Sequence, residues 1–125
     1  MKHVICGIIY DNFGNILMGK RKSNYENGGK WEFPGGKLEQ GESFNQCLCR
    51  EWKEELNIDI NIDKYLTFHI EGNYICHFII GNLGSNGIYD FEMNAHDQLG
   101  LFHPNEIGLL NLFESDRELL SLLEI

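Results

Sequence analysis

Three glutamates near the middle of the chain have the spacing of a metal site. Glu51, Glu54 and Glu55 stand at positions i, i+3 and i+4, so in a helix their carboxylates share one face. Like charges this close raise one another's pKa values unless a cation lies among them, and carboxylate oxygens suit Mg²⁺. For these three residues alone, a solvated helix face is the alternative interpretation. The surrounding sequence must decide between the two.

The residues around the glutamates predict a helix that begins after Ser43 and ends at Asn57. Ser43 and Gln46 form an S-x-x-Q capping box, and Asn57 can end a helix in the left-handed conformation. Apolar side chains recur at helical spacing on the neighbouring face, at Leu48, Trp52 and Leu56. Burial of that face would hold the carboxylates at the edge of the core.

Segments typical of β-strands lie on both sides of this helix. Before it we expect a hairpin, an exposed loop and a short strand, at residues 3–18, 22–30 and 31–33. After it we expect two longer β-segments and a further strand, at residues 58–70, 74–83 and 99–102. Pro104 fits the start of a short helix, and Ser115 with Glu118 predicts a capped helix at the end of the chain.

A wider pattern runs from Gly36 through the predicted helix. Gly36 is followed after five residues by Glu42, and after seven more by Arg50-Glu51-Trp52, one residue, and Glu54-Glu55-Leu56-Asn57-Ile58. This resembles the Nudix box, G-x5-E-x7-R-E-U-x-E-E-x-G-U, in which U is bulky and apolar. Asn57 replaces the family's glycine, and asparagine is the next-best residue for a left-handed helix end. Residues 31–37, Trp-Glu-Phe-Pro-Gly-Gly-Lys, look like the segment before the box in the MutT-like branch.

The resemblance implies a fold and an activity. The fold is the α+β Nudix fold, a mixed β-sheet sandwiched between helices (α/β/α), here in a single domain over residues 1–125. The activity is Mg²⁺-dependent hydrolysis of a nucleoside triphosphate, such as 8-oxo-dGTP or another (d)NTP, to the monophosphate and pyrophosphate, with Mn²⁺ as an expected substitute metal. One alternative is hydrolysis of ADP-ribose or another nucleoside diphosphate linked to a small group. The other is a non-catalytic nucleotide-binding domain, but such domains commonly lose box glutamates and this chain keeps them.

The resemblance also implies roles for the residues of the box. Glu51, Glu54 and Arg50 are the expected catalytic residues, with Glu51 a metal ligand or general base. The other expected metal ligands are the Glu54 and Glu55 carboxylates and the Gly35 carbonyl. Glu42 matches the structural ion-pair partner of Arg50, whose guanidinium also orients Glu51. Gly36 is the structural glycine that opens the box.

Substrate contacts are expected outside the three glutamates. Arg21 and Lys37 match family positions that contact phosphate or base, and Phe33 lies beside the box, where it could line a base pocket. Asp116 lies near where relatives place a side chain that reads the base. Glu92 falls in a polar loop from which several family members supply another glutamate. For Asp116 the alternative is an acid favoured by a helix N-terminus, and for Glu92 a solvated charge.

The amino-acid composition indicates which kinds of molecule the protein binds and in which cellular compartment it lies. The 19 acidic residues outnumber 10 Lys and Arg, giving a net charge of −9, which disfavours binding to a nucleic acid polymer. Four cysteines without a C-x-x-C pair predict reduced thiols rather than zinc or disulfides. No apolar run approaches the roughly 20 residues of a membrane span. We therefore expect a cytoplasmic protein, monomer or homodimer, that binds a small nucleotide and no membrane.

Overall fold

The computed structural model describes residues 1–84 and 92–123. Its strands are β1 (Lys2–Tyr10), β2 (Ile16–Arg21), β3 (Trp31–Glu32), β4 (Gly35–Lys37), β5 (Asn61–Glu71), β6 (Tyr74–Asn82) and β7 (His96–Phe102). Its helices are α1 (Phe44–Leu56), α2 (Pro104–Ile107) and α3 (Glu114–Arg117), followed by a 3-10 turn at Leu120–Leu122. The expected hairpin, exposed loop and β-segments are confirmed, and β7 begins three residues before the predicted start.

The strands form one mixed sheet whose centre is opened by an inserted segment. Hydrogen bonds link the strands in the order β3-β2-β1-β6-β5. β7 pairs with β2 along the edge that β1 and β3 leave free. β1 and β6 run parallel, and the other pairs run antiparallel. β1 and β2 pair at Tyr10 and Ile16 and then diverge, β3 pairing with β2 and β4 with β1. At Gly35 a Cβ atom would overlap the carbonyl oxygen of Ile5, so only glycine allows β4 to approach β1 so closely.

Helix α1 has the ends that the sequence predicts. The backbone N–H of Gln46 donates to the Ser43 hydroxyl at 3.1 Å, and the Ser43 N–H donates to the Gln46 side chain at 2.9 Å. Asn57 ends the helix with φ 56° and ψ 40°, the left-handed conformation. Trp52 anchors the helix to the inserted segment, because its indole N–H donates to the Pro34 carbonyl at 2.8 Å. The acids of α1 are thereby fixed beside β4.

Two apolar clusters cover the two faces of the sheet. On one face the buried side of α1 packs on strand residues that include Ile5, Ile9 and Leu17. On the other face the C-terminal segment, through Ile107, Leu119 and Leu123, covers a second set of buried strand residues. The expected α/β/α sandwich is confirmed. No helix in residues 1–84 or 92–123 is both long enough and apolar enough to span a membrane.

The prediction of a Ser115-capped helix at the end of the chain is wrong. Helix α3 begins at Glu114, with Phe113 at the N-cap and Ser115 inside, and it lasts only four residues. The Phe113 N–H donates to the Trp31 carbonyl at 3.1 Å, so the chain is bound to β3 up to the residue before the helix. That long-range pairing fixes the helix start and overrides the local capping pattern.

Candidate active site

Arg50 on α1 is the centre of an ion-pair network beside β4. Its Nε and Nη2 donate to both carboxylate oxygens of Glu42, at 2.6 and 3.0 Å, and Nη2 also donates to the Lys37 carbonyl at 3.2 Å. Because of these hydrogen bonds with Arg50, the pKa of Glu42 is lowered to about 2. The pair joins the loop before α1 to the helix and to β4.

The same guanidinium also contacts the acids of α1. Arg50 Nη1 donates to Glu51 at 3.0 Å and to Glu54 at 3.1 Å. The side chain of Glu51 is only 13% exposed, whereas that of Glu54 is 61% exposed. The Glu51 carboxylate also lies against the backbone of Gly36, where a Cβ atom would overlap it. Glycine at position 36 therefore leaves the space that the Glu51 carboxylate occupies.

Glu55 is hydrogen-bonded to Glu51 and forms a pair of neighbouring acids with it. Burial and the neighbouring Glu51 charge raise the pKa of Glu55 to about 8. A smaller contribution from Glu32 acts in the same direction, and Arg21 opposes it. The two carboxyls therefore do not both ionise readily at neutral pH unless a cation joins them. Such a pair favours a proton or a metal cation.

The three glutamates of the box share a helix face but do not converge on one point. Within residues 1–84 and 92–123, no group of three or more His, Cys, Asp or Glu side chains is arranged to hold a metal ion. Glu51 and Glu55 line one cavity together with Gly35, whereas the largely exposed Glu54 is held by Arg50. Oxygen donors of this kind suit a hard divalent cation.

Two adjoining cavities meet at the inserted segment. The first, of about 390 Å³, is lined by Glu51, Glu55 and β4, including Lys37. The second, of about 440 Å³, extends to Phe113, Asp116 and Tyr74. Both cavities share five lining residues, which are Val4, Cys6, Arg21, Glu32 and Phe33. A ligand with a charged end and a planar end could occupy both.

Asp116 is buried at the wall of the second cavity. Its carboxylate accepts a hydrogen bond from the Phe33 N–H at 2.9 Å, and the residue is only 3% exposed. Burial is the largest effect on this carboxyl and raises its pKa well above the usual range. A protonated Asp116 can both donate and accept hydrogen bonds. Sequence reasoning placed this residue near a base site, and the structure places it beside Phe33.

Glu32 and His96 form a further polar contact that sequence reasoning missed. His96 Nε2 lies 2.7 Å from a Glu32 carboxylate oxygen, and the other oxygen lies 3.5 Å from Arg21 Nη1. His96 is 1% exposed, and a Cβ atom at Gly19 would collide with its imidazole ring. The two partners are 64 positions apart, so no local spacing connects them. Glu32 itself lies in the segment that resembles the MutT-like branch.

Glu92 lies at the C-terminal end of α1, with its side chain exposed. Its backbone N–H donates to the Leu56 carbonyl at 2.8 Å. The Asn94 amide donates to the Glu54 carbonyl at 2.9 Å and to the Glu92 carboxylate at 3.2 Å. The loop is thus attached to the helix that carries the box glutamates. Asn94, which sequence reasoning did not single out, makes most of this attachment.

Comparison with known families agrees with this geometry. Residues 1–123 match the NUDIX domain family. The chain belongs to this family. The match covers both cavities and all the box residues, including Asn57 at the glycine position. It therefore includes every side chain described above.

Relatives of this Nudix chain include named nucleotide hydrolases. An 8-oxo-dGTP diphosphatase from Proteus vulgaris is 45% identical over 58 residues, which are 46% of this chain and 52% of the relative. A CTP pyrophosphohydrolase from Escherichia coli K12 is 41% identical over 69 residues, which are 55% of this chain and 50% of the relative. The matched region thus spans about half the length of each relative.

Solved structures resemble the chain over nearly its whole length. The E. coli ORF135 protein is 31% identical with a TM-score of 0.81, over 98% of this chain and 88% of that protein. A MutT structure from work on Aliivibrio salmonicida and Vibrio cholerae is 25% identical with a TM-score of 0.83, over 98% of this chain and 95% of that one. Both similarities support the α+β Nudix fold.

Proposed function

We propose that this protein is a Mg²⁺-dependent hydrolase that cleaves a nucleoside triphosphate to the monophosphate and pyrophosphate, with 8-oxo-dGTP or another (d)NTP as substrate. The observation that carries the proposal is the Glu51–Glu55 pair in a cavity that adjoins a second cavity with Asp116 in its wall. One cavity suits metal and phosphates, and the other suits a base. The names of the relatives, which act on 8-oxo-dGTP and CTP, agree with this substrate class.

In this proposal the phosphate end of the substrate binds in the cavity beside α1. Mg²⁺ bound there would neutralise charge on the phosphates and would relieve the repulsion between the box acids. Glu55 is the first proposed ligand, with Glu54 and the Gly35 carbonyl, and Glu51 serves either as a further ligand or as the general base. Arg21 and Lys37 line the same cavity and supply positive charge for the phosphates. Their contribution matters because the chain as a whole is acidic.

Glu51 is the proposed general base, and Arg50 positions it. The oxygen of a water forms a bond to the β-phosphorus, while the bond from that phosphorus to the oxygen bridging the α- and β-phosphates breaks. The bridging oxygen leaves with the monophosphate. The proton of the water passes to Glu51 when Glu51 is the base, or to bulk solvent when Glu51 is a metal ligand instead. A positioned base contributes roughly 10²–10⁴ in rate. The Arg50 contact at 3.0 Å restricts the rotation of the Glu51 carboxylate.

The base end of the substrate is proposed to bind beside Asp116 and Phe33. Acids dominate the polar lining of this cavity, which includes Glu32, Glu71 and Glu114. Acceptors of this kind favour a base edge that presents N–H donors, such as an amino group, over one that presents only carbonyls. The net charge of −9 disfavours a nucleic acid polymer, so a small nucleotide is the proposed ligand.

A product-resolved screen tests the proposal. The protein is incubated with triphosphates, ADP-ribose and other nucleoside diphosphate derivatives in Mg²⁺ or EDTA, and the phosphorus products are separated. We expect pyrophosphate from a triphosphate in Mg²⁺ and no turnover in EDTA. Cleavage of ADP-ribose alone would favour the alternative activity, hydrolysis of a nucleoside diphosphate linked to a small group. Nucleotide binding with no turnover of any compound would favour the non-catalytic alternative.

The Glu51→Gln variant is the matched control for this screen. It keeps the shape of the side chain and removes its charge, so the fold should survive. If Glu51 is the base, kcat should fall roughly 10²-fold or more with little change in KM. If it is chiefly a metal ligand, the Mg²⁺ concentration for half-maximal rate should rise. A folded variant with wild-type kcat would exclude Glu51 from the reaction.

A further inference from the structure

β5 is a long edge strand of the sheet. It is last in the strand order and, in the part of the chain that the structure describes, pairs with β6 alone. Its outer edge presents the backbone of 11 residues, about twice the usual strand length. Edge strands are normally short, highly charged or covered, because free N–H and C=O groups pair readily with another strand. Such an edge is suited to receive a further strand.

Three large apolar side chains lie on one face of this edge. Tyr65, Phe68 and Ile70 are 46%, 55% and 52% exposed. Their face is the one covered by α1, because the Tyr65 ring lies 6.4 Å from that of Phe44 and the Phe68 ring 6.4 Å from that of His77. A contiguous exposed apolar patch at a strand edge is typical of a protein interface.

A β-bulge brings these side chains to the same face. The pairing with β6 shifts between Tyr65 and Thr67, so Leu66 is an extra residue in the ladder. In a regular strand Tyr65 and Phe68 would point to opposite faces, since side chains alternate with a period of two. The bulge reverses the alternation between them. The bulge therefore places Tyr65 on the same exposed face as Phe68 and Ile70.

The other face of β5 carries a positive charge at Lys64 and a negative charge at its last residue, Glu71. Lys64 lines a cavity beside Leu66 and Leu122, and Glu71 lines the Asp116 cavity; both belong to the face covered by the C-terminal segment. When the bulge is counted as one step, Lys64 and Glu71 lie at equal distances on either side of Phe68. Antiparallel pairing about Phe68 therefore places each Lys64 opposite the other copy's residue 71.

We propose that two copies of this chain pair antiparallel through β5, with Phe68 on the two-fold axis. In this arrangement Phe68 contacts Phe68 of the partner subunit, and Tyr65 faces Ile70 of the partner subunit, on the α1 side. On the opposite face Lys64 lies beside Glu71 of the partner subunit, and the pair occurs twice. The strand is thus complementary to itself in both apolar contact and charge. Each Lys64 also comes to the rim of the other copy's Asp116 cavity.

The oligomeric state of the full chain tests the pairing. Sedimentation and light scattering are measured from low micromolar to several hundred micromolar protein, at ~0.15 M salt because each copy carries a net charge of −9. We expect a concentration-dependent dimer. Phe68→Lys should give a monomer throughout, while Phe13→Lys should dimerise as the wild type does, since Phe13 is 87% exposed in the hairpin turn. A wild-type monomer at every concentration would overturn the proposal.

A charge exchange tests the register without altering the apolar face. Lys64→Glu should weaken dimerisation at least about tenfold, because it places two acids together at both ends of the ladder. Adding Glu71→Lys to the same chain should restore most of the affinity. A dimer that Lys64→Glu leaves unchanged would show that β5 does not pair in this register. Far-UV circular dichroism of each variant confirms that the sheet is intact.

Discussion

At high pH Glu55→Gln should stabilise the metal-free protein and weaken its response to Mg²⁺. In the folded chain the pKa of Glu55 is raised from 4.5 to about 8, mainly by burial and by Glu51. Between these two values the unfolded chain releases a proton that the folded chain retains. The free energy of unfolding must therefore fall as pH rises through this window, and the loss is complete above about pH 8. Glutamine keeps the shape and cannot acquire the charge.

The magnitude follows from the shift in pKa. One unit corresponds to about 1.4 kcal/mol, so the whole shift sets an upper bound of ~5 kcal/mol, and partial solvent exposure reduces it to about 2–4 kcal/mol. At about pH 8.5 in EDTA we expect Glu55→Gln to unfold at higher denaturant than the wild type, by this amount. At about pH 5 the difference should be less than about 1 kcal/mol, because the pH is then only ~0.5 unit above the unfolded pKa of 4.5 and the folded chain still keeps Glu55 protonated.

Mg²⁺ should remove most of this difference at high pH. A cation that binds only the folded wild type stabilises it by about 2.7 kcal/mol at 100 times its Kd, whereas the variant lacks one ligand and should gain much less. The assay is denaturant unfolding in EDTA and in Mg²⁺ at both pH values. Glu118→Gln, an exposed change in the C-terminal segment, is the control and should match the wild type. Equal stability of wild type and Glu55→Gln in EDTA at high pH would refute the reasoning.

Three further changes test the contacts that hold helix α1 and its acids in place. Arg50→Lys keeps the charge but loses the planar guanidinium that contacts two carboxylates at once. We expect kcat to fall about 10- to 100-fold in a pyrophosphate-release assay, and an unchanged kcat would contradict the role of Arg50 in positioning Glu51. Gly36→Ala should displace the Glu51 carboxylate, cost roughly 1–3 kcal/mol in thermal unfolding and lower kcat, whereas Gly108→Ala, with its nearest neighbour at 3.7 Å, should do neither. Asn57→Ala should lose about 1 kcal/mol in denaturant unfolding, while Asn57→Gly should stay near neutral because φ is 56°.

Local sequence signals determined helix α1 and the relative placement of its acids. The capping box at Ser43, the left-handed Asn57 and the apolar spacing through Trp52 involve residues within one or a few turns of each other. These interactions join residues that are close in sequence, so they can be recognised without knowledge of the tertiary structure. The same signals were insufficient at Ser115, where pairing of Phe113 with Trp31 decided the start of α3.

Only the tertiary structure decided how the cavities are assembled. Asp116 meets the Phe33 N–H across 83 positions, and His96 meets Glu32 across 64. These contacts exist because residues 31–37 fill the gap between the diverging β1 and β2. No hydrophobic periodicity in the sequence predicts that insertion. The sequence by itself determined the identities and spacing of the box acids, since one helix fixes both. Which acid is exposed and which is buried depended on the strands and on Arg50, because burial is a property of neighbours brought together by folding.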